Sequence, residues 1–210
     1  DILPTLIKKR KISGLLVKKF FLDIGTPKNL KAAPRLLEKT FKGPAAFLDR
    51  DGVINYDYGY VSSFKNFKLR PGVIKGLKLL FKKNYKVFIV TNQAGIAKNF
   101  FKEEDFIKLH LKIKNFFLKK NIIINDVLYC PYHIKGVIKK YKKDSVFRKP
   151  NNGMIKKLFN NYDIIKPKSF MIGDKTSDEK CALKSRLYFE YAHKNFYHQI
   201  KKILEKRSNV

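Results

Sequence analysis

Short apolar runs alternate along the chain with longer segments whose apolar residues recur every three or four positions. The short runs predict β-strands and the longer segments predict amphipathic helices. The predicted strands lie at 13–22, 44–48, 86–92, 126–130, 169–174 and 187–191, and the predicted helices lie at 71–84, 102–120, 152–160, 177–185 and in the C-terminal tail. Thr26 and Pro27 suit an N-cap and a first helical position, so a further helix is predicted to begin there. This alternation predicts an α/β domain whose parallel sheet is covered by helices on both faces.

Polar residues stand where three of the predicted strands end. Asp49 follows the run 44–48, Thr91 lies near the end of 86–92, and Asp174 ends the run 169–174. In parallel α/β sheets, ligands bind beyond the carboxyl ends of the strands. If these three strands are neighbours, their ends form one site that contains carboxylates and a hydroxyl group.

The stretch "FLDRDGVIN" places Asp49 and Asp51 one residue apart, directly before Gly52. Two carboxylates about 4 Å apart in a partly buried site repel each other by roughly a few kcal/mol, so a cation is expected among them. Oxygen ligands with access to water favour Mg²⁺. Gly52 permits a tight turn immediately after the pair.

This arrangement suits phosphoryl transfer. Asp49 would attack phosphorus and form an aspartyl-phosphate. Asp51 would protonate the leaving alkoxide and then deprotonate the water that hydrolyses the intermediate. Mg²⁺ and Lys149 would neutralise the phosphoryl oxygens, and Thr91 would donate a hydrogen bond to them.

The charge of the chain narrows the choice of partners. The 210 residues include 47 Lys and Arg against 17 Asp and Glu, a formal net charge of +30. Such a charge attracts phosphates, nucleic acids or anionic lipids. The lysines are spread along the whole chain, including the predicted helices, which indicates a general compositional bias and not a dedicated nucleic-acid surface. We therefore expect a small anionic substrate and rank a nucleic-acid partner low.

Cysteine content and hydropathy bear on the compartment. Cys130 and Cys181 are the two cysteines, which excludes a disulfide framework and favours a reducing cytoplasm. No apolar run approaches the ~18 residues of a membrane span, so no membrane partner is expected.

Four motifs resemble, in order and spacing, those of the haloacid dehalogenase (HAD) phosphatase superfamily: "FLDRDGVIN", "VTNQAGIA", "FRKPNNGM" and "MIGDKTSDEKCA". Within it, "DRDGVIN", "TNQAGIA", "YCPYH" and "RKPNNGM" resemble the D-glycero-D-manno-heptose-1,7-bisphosphate 7-phosphatases and the related histidinol phosphatases. The resemblance covers residues 44 to about 190. It implies an HAD-like Rossmannoid three-layer fold with a central parallel sheet and no large cap domain.

The resemblance implies roles for the polar residues of the first and last motifs. The resemblance implies Asp49 as the nucleophile and Asp51 as the acid and base. It also implies Mg²⁺ on Asp49, on the backbone carbonyl of Asp51 and on Asp174. Lys175 is implied to orient carboxylates. For Asp178 two interpretations stay open, a place in the metal shell or a carboxylate favoured by a helix N-terminus.

The two middle motifs are implied to bind substrate. Thr91 and Lys149 would hold the transferred phosphate. Asn92 and Arg148 would contact phosphate or sugar.

One feature departs from the family pattern. Many of these phosphatases hold a structural zinc through a Cys-x-His pair and a later Cys-x-Cys pair. Here Cys130 stands, but Tyr132 occupies the histidine position, and Ser145 and Phe147 occupy the two later cysteine positions. A tetrahedral structural site needs four N or S ligands. We predict that no zinc is bound and that the loop 131–147 is held by packing alone.

The first forty residues stand apart from the phosphatase motifs. "FFLDIGTPKNLKAA" resembles the C-terminal end of sugar-1-phosphate nucleotidyltransferases. Residues 1–40 are therefore expected to be a remnant or end of such a domain, and residues 41–210 the phosphatase domain. The alternative is a helical extension with chance similarity. We expect a monomer or a part of a longer fused chain.

The leading hypothesis is a cytoplasmic Mg²⁺-dependent phosphatase that acts on a small phosphorylated sugar and removes the 7-phosphate of heptose 1,7-bisphosphate. Histidinol-phosphate phosphatase remains an alternative because it shares every motif quoted. A nucleic-acid 3′-phosphatase and a non-catalytic remnant rank lower.

Overall fold

Five parallel strands form the sheet that positions the predicted site. The computed structural model describes residues 2–9, 25–27, 29, 31 and 42–207. Within 42–207 the strands are β1 (Ala45–Leu48), β2 (Lys86–Asn92), β3 (Asp126–Cys130), β4 (Phe170–Gly173) and β5 (Tyr188–Tyr191), in the order β3-β2-β1-β4-β5. These are the five strands predicted after residue 40, so the α/β prediction is confirmed. The strand predicted at 13–22 lies outside the described residues.

Helices connect these strands, as the apolar spacing predicted. They are α2 (Val73–Lys82), α3 (Ala94–Ala97), α4 (Glu103–Leu118), α5 (Gly153–Asn161), α6 (Thr176–Lys184) and α7 (Phe196–Arg207), after a first helix α1 (Ile2–Lys8). Three acidic residues occupy the first turn of α4, where the helix dipole favours negative charge. No helix among the described residues is both long and apolar enough to cross a lipid bilayer.

The side chains of β1 alternate between two hydrophobic cores. Ala46 and Leu48 pack with apolar residues of α2, α4 and α7 on one face of the sheet. Ala45 and Phe47 pack with residues of α5 and α6 on the other face. All four side chains are fully buried, as expected for the central strand of a parallel sheet. The result is a three-layer α/β/α domain.

The strand order brings the predicted site residues together. The chain builds β1, β2 and β3 outward and then returns to place β4 on the other side of β1. Leu48, the last residue of β1, pairs with Ile89 of β2 and with Ile172 of β4. The residues that follow these strands therefore lie side by side at the point where the strand order reverses, which is where open α/β sheets bind ligands.

The chain divides into two compact units, 1–39 and 40–210, and the described residues near the N-terminus belong to the first. The helix α1 within it was not predicted. The predicted N-cap is confirmed, because the Thr26 hydroxyl accepts a hydrogen bond from the Asn29 amide at 3.2 Å and Pro27 is helical. The resemblance of residues 1–40 to a nucleotidyltransferase stays a prediction.

Candidate active site

Asp49 occupies the centre of the site. Its backbone amide continues the pairing of β1 with β4 by donating to the Ile172 carbonyl at 3.0 Å. Its Oδ1 accepts from the Arg50 amide at 2.7 Å, and its Oδ2 lies 2.9 Å from Nζ of Lys149. Burial raises the pKa of Asp49 to about 7, and the neighbouring Asp178 carboxylate adds to this rise while Lys149 opposes it.

Lys149 is the cation that the buried carboxylates share. It is 2% exposed, and its ammonium donates to the Val90 carbonyl at 2.9 Å while contacting Asp49 at 2.9 Å and Asp178 at 2.5 Å. Burial alone would lower the pKa of Lys149, but the two carboxylates outweigh it and the pKa is raised. Lys149 therefore stays charged, with its ammonium within 3 Å of three oxygen atoms.

Residues at the end of β2 hold Lys149 in position and present a hydroxyl group to the cavity. Asn92 forms two hydrogen bonds of 3.0 Å with the Lys149 backbone, one to its carbonyl and one from its amide. Thr91 Oγ1 accepts from Nε2 of Gln93 at 2.9 Å and can still donate its own proton. Asn92 lines the same cavity as Thr91, so its predicted contact with substrate stays open beside this positioning of Lys149.

Asp51 is held by four donors in this structure. Its Oδ1 accepts from Arg50 Nε at 3.0 Å and Asn55 Nδ2 at 2.9 Å, and its Oδ2 accepts from an Arg50 terminal nitrogen at 2.7 Å and Gln93 Nε2 at 3.1 Å. An ionised carboxylate has about four lone-pair positions. For Asp51 to act as an acid, at least one of these donors must therefore give way.

Two buried residues that no sequence pattern marked, Arg50 and His110, support Asp51. Arg50 is fully buried, and besides Asp51 it donates to the Val61 carbonyl at 2.7 Å and lies 3.2 Å from Nε2 of His110. Burial and the charge of Arg50 lower the pKa of His110 to about 3, so His110 is neutral and accepts this bond. His110 therefore contacts the residue that holds Asp51.

Three carboxylates form a cluster that fits a divalent cation. One oxygen each from Asp49, Asp174 and Asp178 lies within 4.8 Å of the others. Oδ1 of Asp174 is buried and has no hydrogen-bond partner among the described residues. Gly52, at φ 82°, brings the turn after β1 so close to Asp174 that any side chain there would overlap the carboxylate. The oxygen donors and the unpartnered atom fit the predicted Mg²⁺.

Asp178, a member of this cluster, lies in the first turn of α6, and Lys175 directly before the helix borders the cluster. Oδ2 of Asp178 accepts the Lys175 amide at 3.0 Å, so Asp178 caps the helix and also pairs with Lys149. Lys175 lies 3.0 Å from Asp57 and 3.8 Å from Asp174, and it is largely exposed. Both predicted supporting residues therefore contact the carboxylate cluster.

A cavity of about 390 Å³ opens above Asp49. Seven of the predicted residues line it: Asp49, Asp51, Thr91, Asn92, Arg148, Lys149 and Lys175. Asp174 lines an adjoining pocket with Gly52, and Asp178 is buried beneath. Tyr60, Lys98 and His133 also line the main cavity. The polar loop that contains Tyr60 suggested a contact with sugar or a packing role, whereas no pattern in the sequence marked Lys98. Cationic side chains thus surround the carboxylates at the floor of the cavity.

The loop 131–147 is held by hydrogen bonds as well as by packing, so the expectation of packing alone was wrong. The amides of Val137 and Ile138 donate to the Ala97 carbonyl at 2.8 and 3.1 Å. Arg148, directly after the loop, donates to the Tyr132 carbonyl at 3.2 Å. Cys130 is fully buried, and burial raises the pKa of its thiol.

Known proteins match more than half of this chain in sequence. The family model described as "Polynucleotide kinase 3 phosphatase" matches residues 52–204. A Rhodopseudomonas palustris protein named D-glycero-beta-D-manno-heptose-1,7-bisphosphate 7-phosphatase is 40% identical over 66% of this chain and 77% of its own length. A Burkholderia mallei protein with the corresponding alpha-heptose name is 40% identical over 65% of this chain and 72% of its own length.

Solved structures show the same fold. A Mesorhizobium loti protein assigned as an HAD-like phosphatase matches with a TM-score of 0.71 and 26% identity, over 80% of this chain and 87% of that one. The D,D-heptose 1,7-bisphosphate phosphatase of B. bronchiseptica, complexed with magnesium and phosphate, matches with a TM-score of 0.68 and 20% identity, over 79% of this chain and 99% of that one. With the family model and the curated relatives, these matches show that the chain is a phosphatase of the HAD superfamily and belongs to the family of the heptose-1,7-bisphosphate 7-phosphatases.

Proposed function

We propose that this enzyme hydrolyses the 7-phosphate of D-glycero-D-manno-heptose 1,7-bisphosphate with Mg²⁺ as cofactor. The observation that carries the proposal is Asp49, buried at the floor of a cation-lined cavity and flanked by Lys149 and the carboxylate cluster. The substrate follows from relatives 38–40% identical that carry this name. A cavity of about 390 Å³ is of a size that suits a small phosphorylated sugar.

In the first step a carboxylate oxygen of Asp49 attacks phosphorus, and the bond from phosphorus to the sugar oxygen breaks. Lys149 stays charged throughout and neutralises the phosphoryl oxygens, and Thr91 donates its hydroxyl proton to one of them. Asp51 protonates the leaving sugar oxygen. The products of this step are the dephosphorylated sugar hydroxyl and an aspartyl-phosphate on Asp49.

In the second step Asp51, now deprotonated, takes a proton from water, and the water oxygen attacks phosphorus. The bond to Asp49 breaks, which releases inorganic phosphate and restores the free carboxylate. Gln93 is the donor whose release frees Asp51 most readily, because its 3.1 Å bond is the longest of the four and Gln93 also borders the cavity.

Asp49, Asp174 and the backbone carbonyl of Asp51 would hold Mg²⁺, with Asp178 beside them. The ion supplies positive charge that offsets the repulsion between the carboxylates and the phosphoryl group. Asp178 already shares Lys149 with Asp49, so we assign it first to the positioning of Lys149. We also propose that zinc is absent, since the ligand positions at Tyr132, Ser145 and Phe147 lack the required side chains.

Two other substrates remain candidates. Histidinol phosphate fits the same motifs. A nucleic acid 3′-phosphate is suggested by the description of the matching family model. A nucleic-acid substrate would show affinity that falls steeply with salt.

The test is phosphate release by the purified chain with Mg²⁺. The substrates are the α and β anomers of heptose 1,7-bisphosphate, histidinol phosphate and a 3′-phosphorylated oligonucleotide, with Asp49→Asn as the control. We expect kcat/KM at least ~100-fold higher for one heptose anomer, which corresponds to about 2.7 kcal/mol of transition-state discrimination. Equal activity on all four substrates, or preference for the oligonucleotide, would overturn the proposed substrate.

The organisation of the chain is a further part of the proposal. We propose that residues 1–40 are the end of a nucleotidyltransferase-like domain, supported by "FFLDIGTPKNLKAA", and that the enzyme works in the cytoplasm as a monomer or within a longer chain. Two free, buried cysteines agree with a reducing compartment. Light scattering of the purified chain measures its mass in solution, and a dimer would refute the monomer.

A further inference from the structure

The loop 131–147 forms one wall of the catalytic cavity. His133 of this loop and Arg148, directly after it, both line the cavity. The Arg148 guanidinium donates to the Tyr132 carbonyl at 3.2 Å, so its position depends on the path of the loop backbone. A loop that moved would carry these two side chains away from any bound substrate.

Tyr141, a residue of this loop, is hydrogen-bonded both to Glu103 and to the loop backbone. Its phenol donates to Oε2 of Glu103 at 2.7 Å, and its carbonyl accepts the His133 amide at 3.1 Å. Its ring lies 6.1 Å from that of Tyr132. His133 and Tyr132 thus both contact Tyr141, and Tyr141 is hydrogen-bonded to Glu103.

Glu103 connects the loop to the sheet. It is the first residue of α4, where the helix N-terminus favours a carboxylate. Its Oε1 accepts the phenol of Tyr129 on β3 at 2.9 Å, while Oε2 accepts Tyr141. Burial and the Glu103 carboxylate raise the pKa of both phenols, so both remain protonated donors. Hydrogen bonds to an ionised carboxylate are roughly twice as strong as those between neutral groups.

We propose that Glu103, Tyr129 and Tyr141 form a clasp that holds the loop 131–147 in place and positions Arg148 and His133 for the part of the substrate beyond the transferred phosphate. The three clasp residues are absent from the cavity lining, so they are positioning residues. Only the identity of that distal part, a second phosphate group, rests on the proposed function. The clasp gives the loop a fixed path without any metal ligand.

Trypsin tests the clasp without reference to any substrate. The loop contains five lysines, which are Lys135, Lys139, Lys140, Lys142 and Lys143. Tyr141→Phe removes the hydrogen bond from the loop to Glu103, and Glu103→Gln replaces the carboxylate that accepts both phenols with a neutral amide that has one acceptor oxygen. Glu104→Gln is the matched control because Glu104 is exposed on the same helix turn. We expect cleavage within the loop to be several-fold faster in the first two variants and unchanged in the control, since cleavage follows the population of the open loop.

Kinetics test the positioning. With heptose 1,7-bisphosphate, Glu103→Gln and Tyr141→Phe are expected to raise KM about tenfold while kcat changes less than about twofold, because uniform binding is lost. With p-nitrophenyl phosphate, which does not extend to the loop, both constants should match those of the wild type.

Each outcome decides the proposal. Unchanged cleavage of the loop in both clasp variants would overturn it, as would an equal fall of kcat for both substrates. If wild-type enzyme does not hydrolyse heptose bisphosphate at all, the proposed substrate fails while the trypsin comparison still decides whether the clasp exists.

Discussion

Replacing Asp49 with asparagine is expected to abolish turnover and to stabilise the fold at alkaline pH. The pKa of Asp49 rises from 3.8 to about 7 in the folded chain because the carboxyl group is buried. Each pKa unit corresponds to 1.36 kcal/mol, so ionising this group in the fold costs up to about 4 kcal/mol above pH 7. The raised pKa already includes the attraction between Asp49 and Lys149, and Lys149 keeps Asp178 as its partner in the variant. We expect a net gain of up to about 4 kcal/mol for Asp49→Asn at pH 8.

The pH dependence has a definite sign. Between pH 4 and 7 the folded Asp49 binds more protons than the unfolded one, so wild-type stability falls as the pH rises through this window. Asparagine does not titrate. The stability difference in favour of Asp49→Asn should therefore grow by about 2–3 kcal/mol from pH 5 to pH 8.

Urea unfolding at pH 5 and pH 8 in the presence of a chelator measures this difference, with the exposed Asp144→Asn as control. Added Mg²⁺ should then stabilise wild type more than Asp49→Asn, because the ion binds the carboxylate. A difference that stays constant with pH, or a variant less stable than wild type at pH 8, would refute the account of Asp49 as a carboxylate disfavoured by burial.

Three further predictions concern the surroundings of Asp49. Gly52→Ala is expected to weaken Mg²⁺ binding and lower kcat at least about tenfold, because the left-handed backbone and the overlap with Asp174 force the turn away; a titration of activity with Mg²⁺ measures both, and wild-type behaviour would contradict it. His110→Phe should destabilise the fold by about 1–3 kcal/mol because it leaves a buried Arg50 donor unpaired, whereas His110→Gln keeps an acceptor; urea unfolding compares the two, and equal losses would count against the contact. Metal analysis of the purified protein should find activity that depends on Mg²⁺ and less than one equivalent of zinc; a full equivalent would overturn our interpretation of the loop.

Sequence patterns sufficed for the parts of the site that lie next to strand ends. Asp49, Thr91 and Asp174 each follow or end an apolar run, and parallel strands bring such positions to one edge of a sheet. Lys149 and Arg148 lie in a loop, and the resemblance to a known family was needed to place them. The five strands after residue 40 were predicted because buried parallel strands are continuously apolar.

The contacts that hold the site in place could not be predicted in this way. Arg50 meets His110 across 60 positions, and Tyr141 meets Glu103 across 38 positions. Glu103 and His110 lie on a helix that was predicted correctly, yet nothing local in the sequence says which helix position faces which loop. Buried polar partners are chosen by tertiary packing, which a single sequence does not record.

The contacts of the Lys149 ammonium bear on when the catalytic centre can form while the chain is being synthesised. The ammonium joins Val90, Asp49 and Asp178, residues that leave the ribosome at well separated times. A nascent chain that ends at β3 has three of the five strands of the sheet but lacks Lys149, which pairs with Asp49. We expect such an intermediate to keep the carboxyl end of β1 hydrated and open until residues 149–178 emerge. The catalytic centre then forms late in synthesis, before only β5 and α7 among the described elements, and a chain released before residue 149 would lack it.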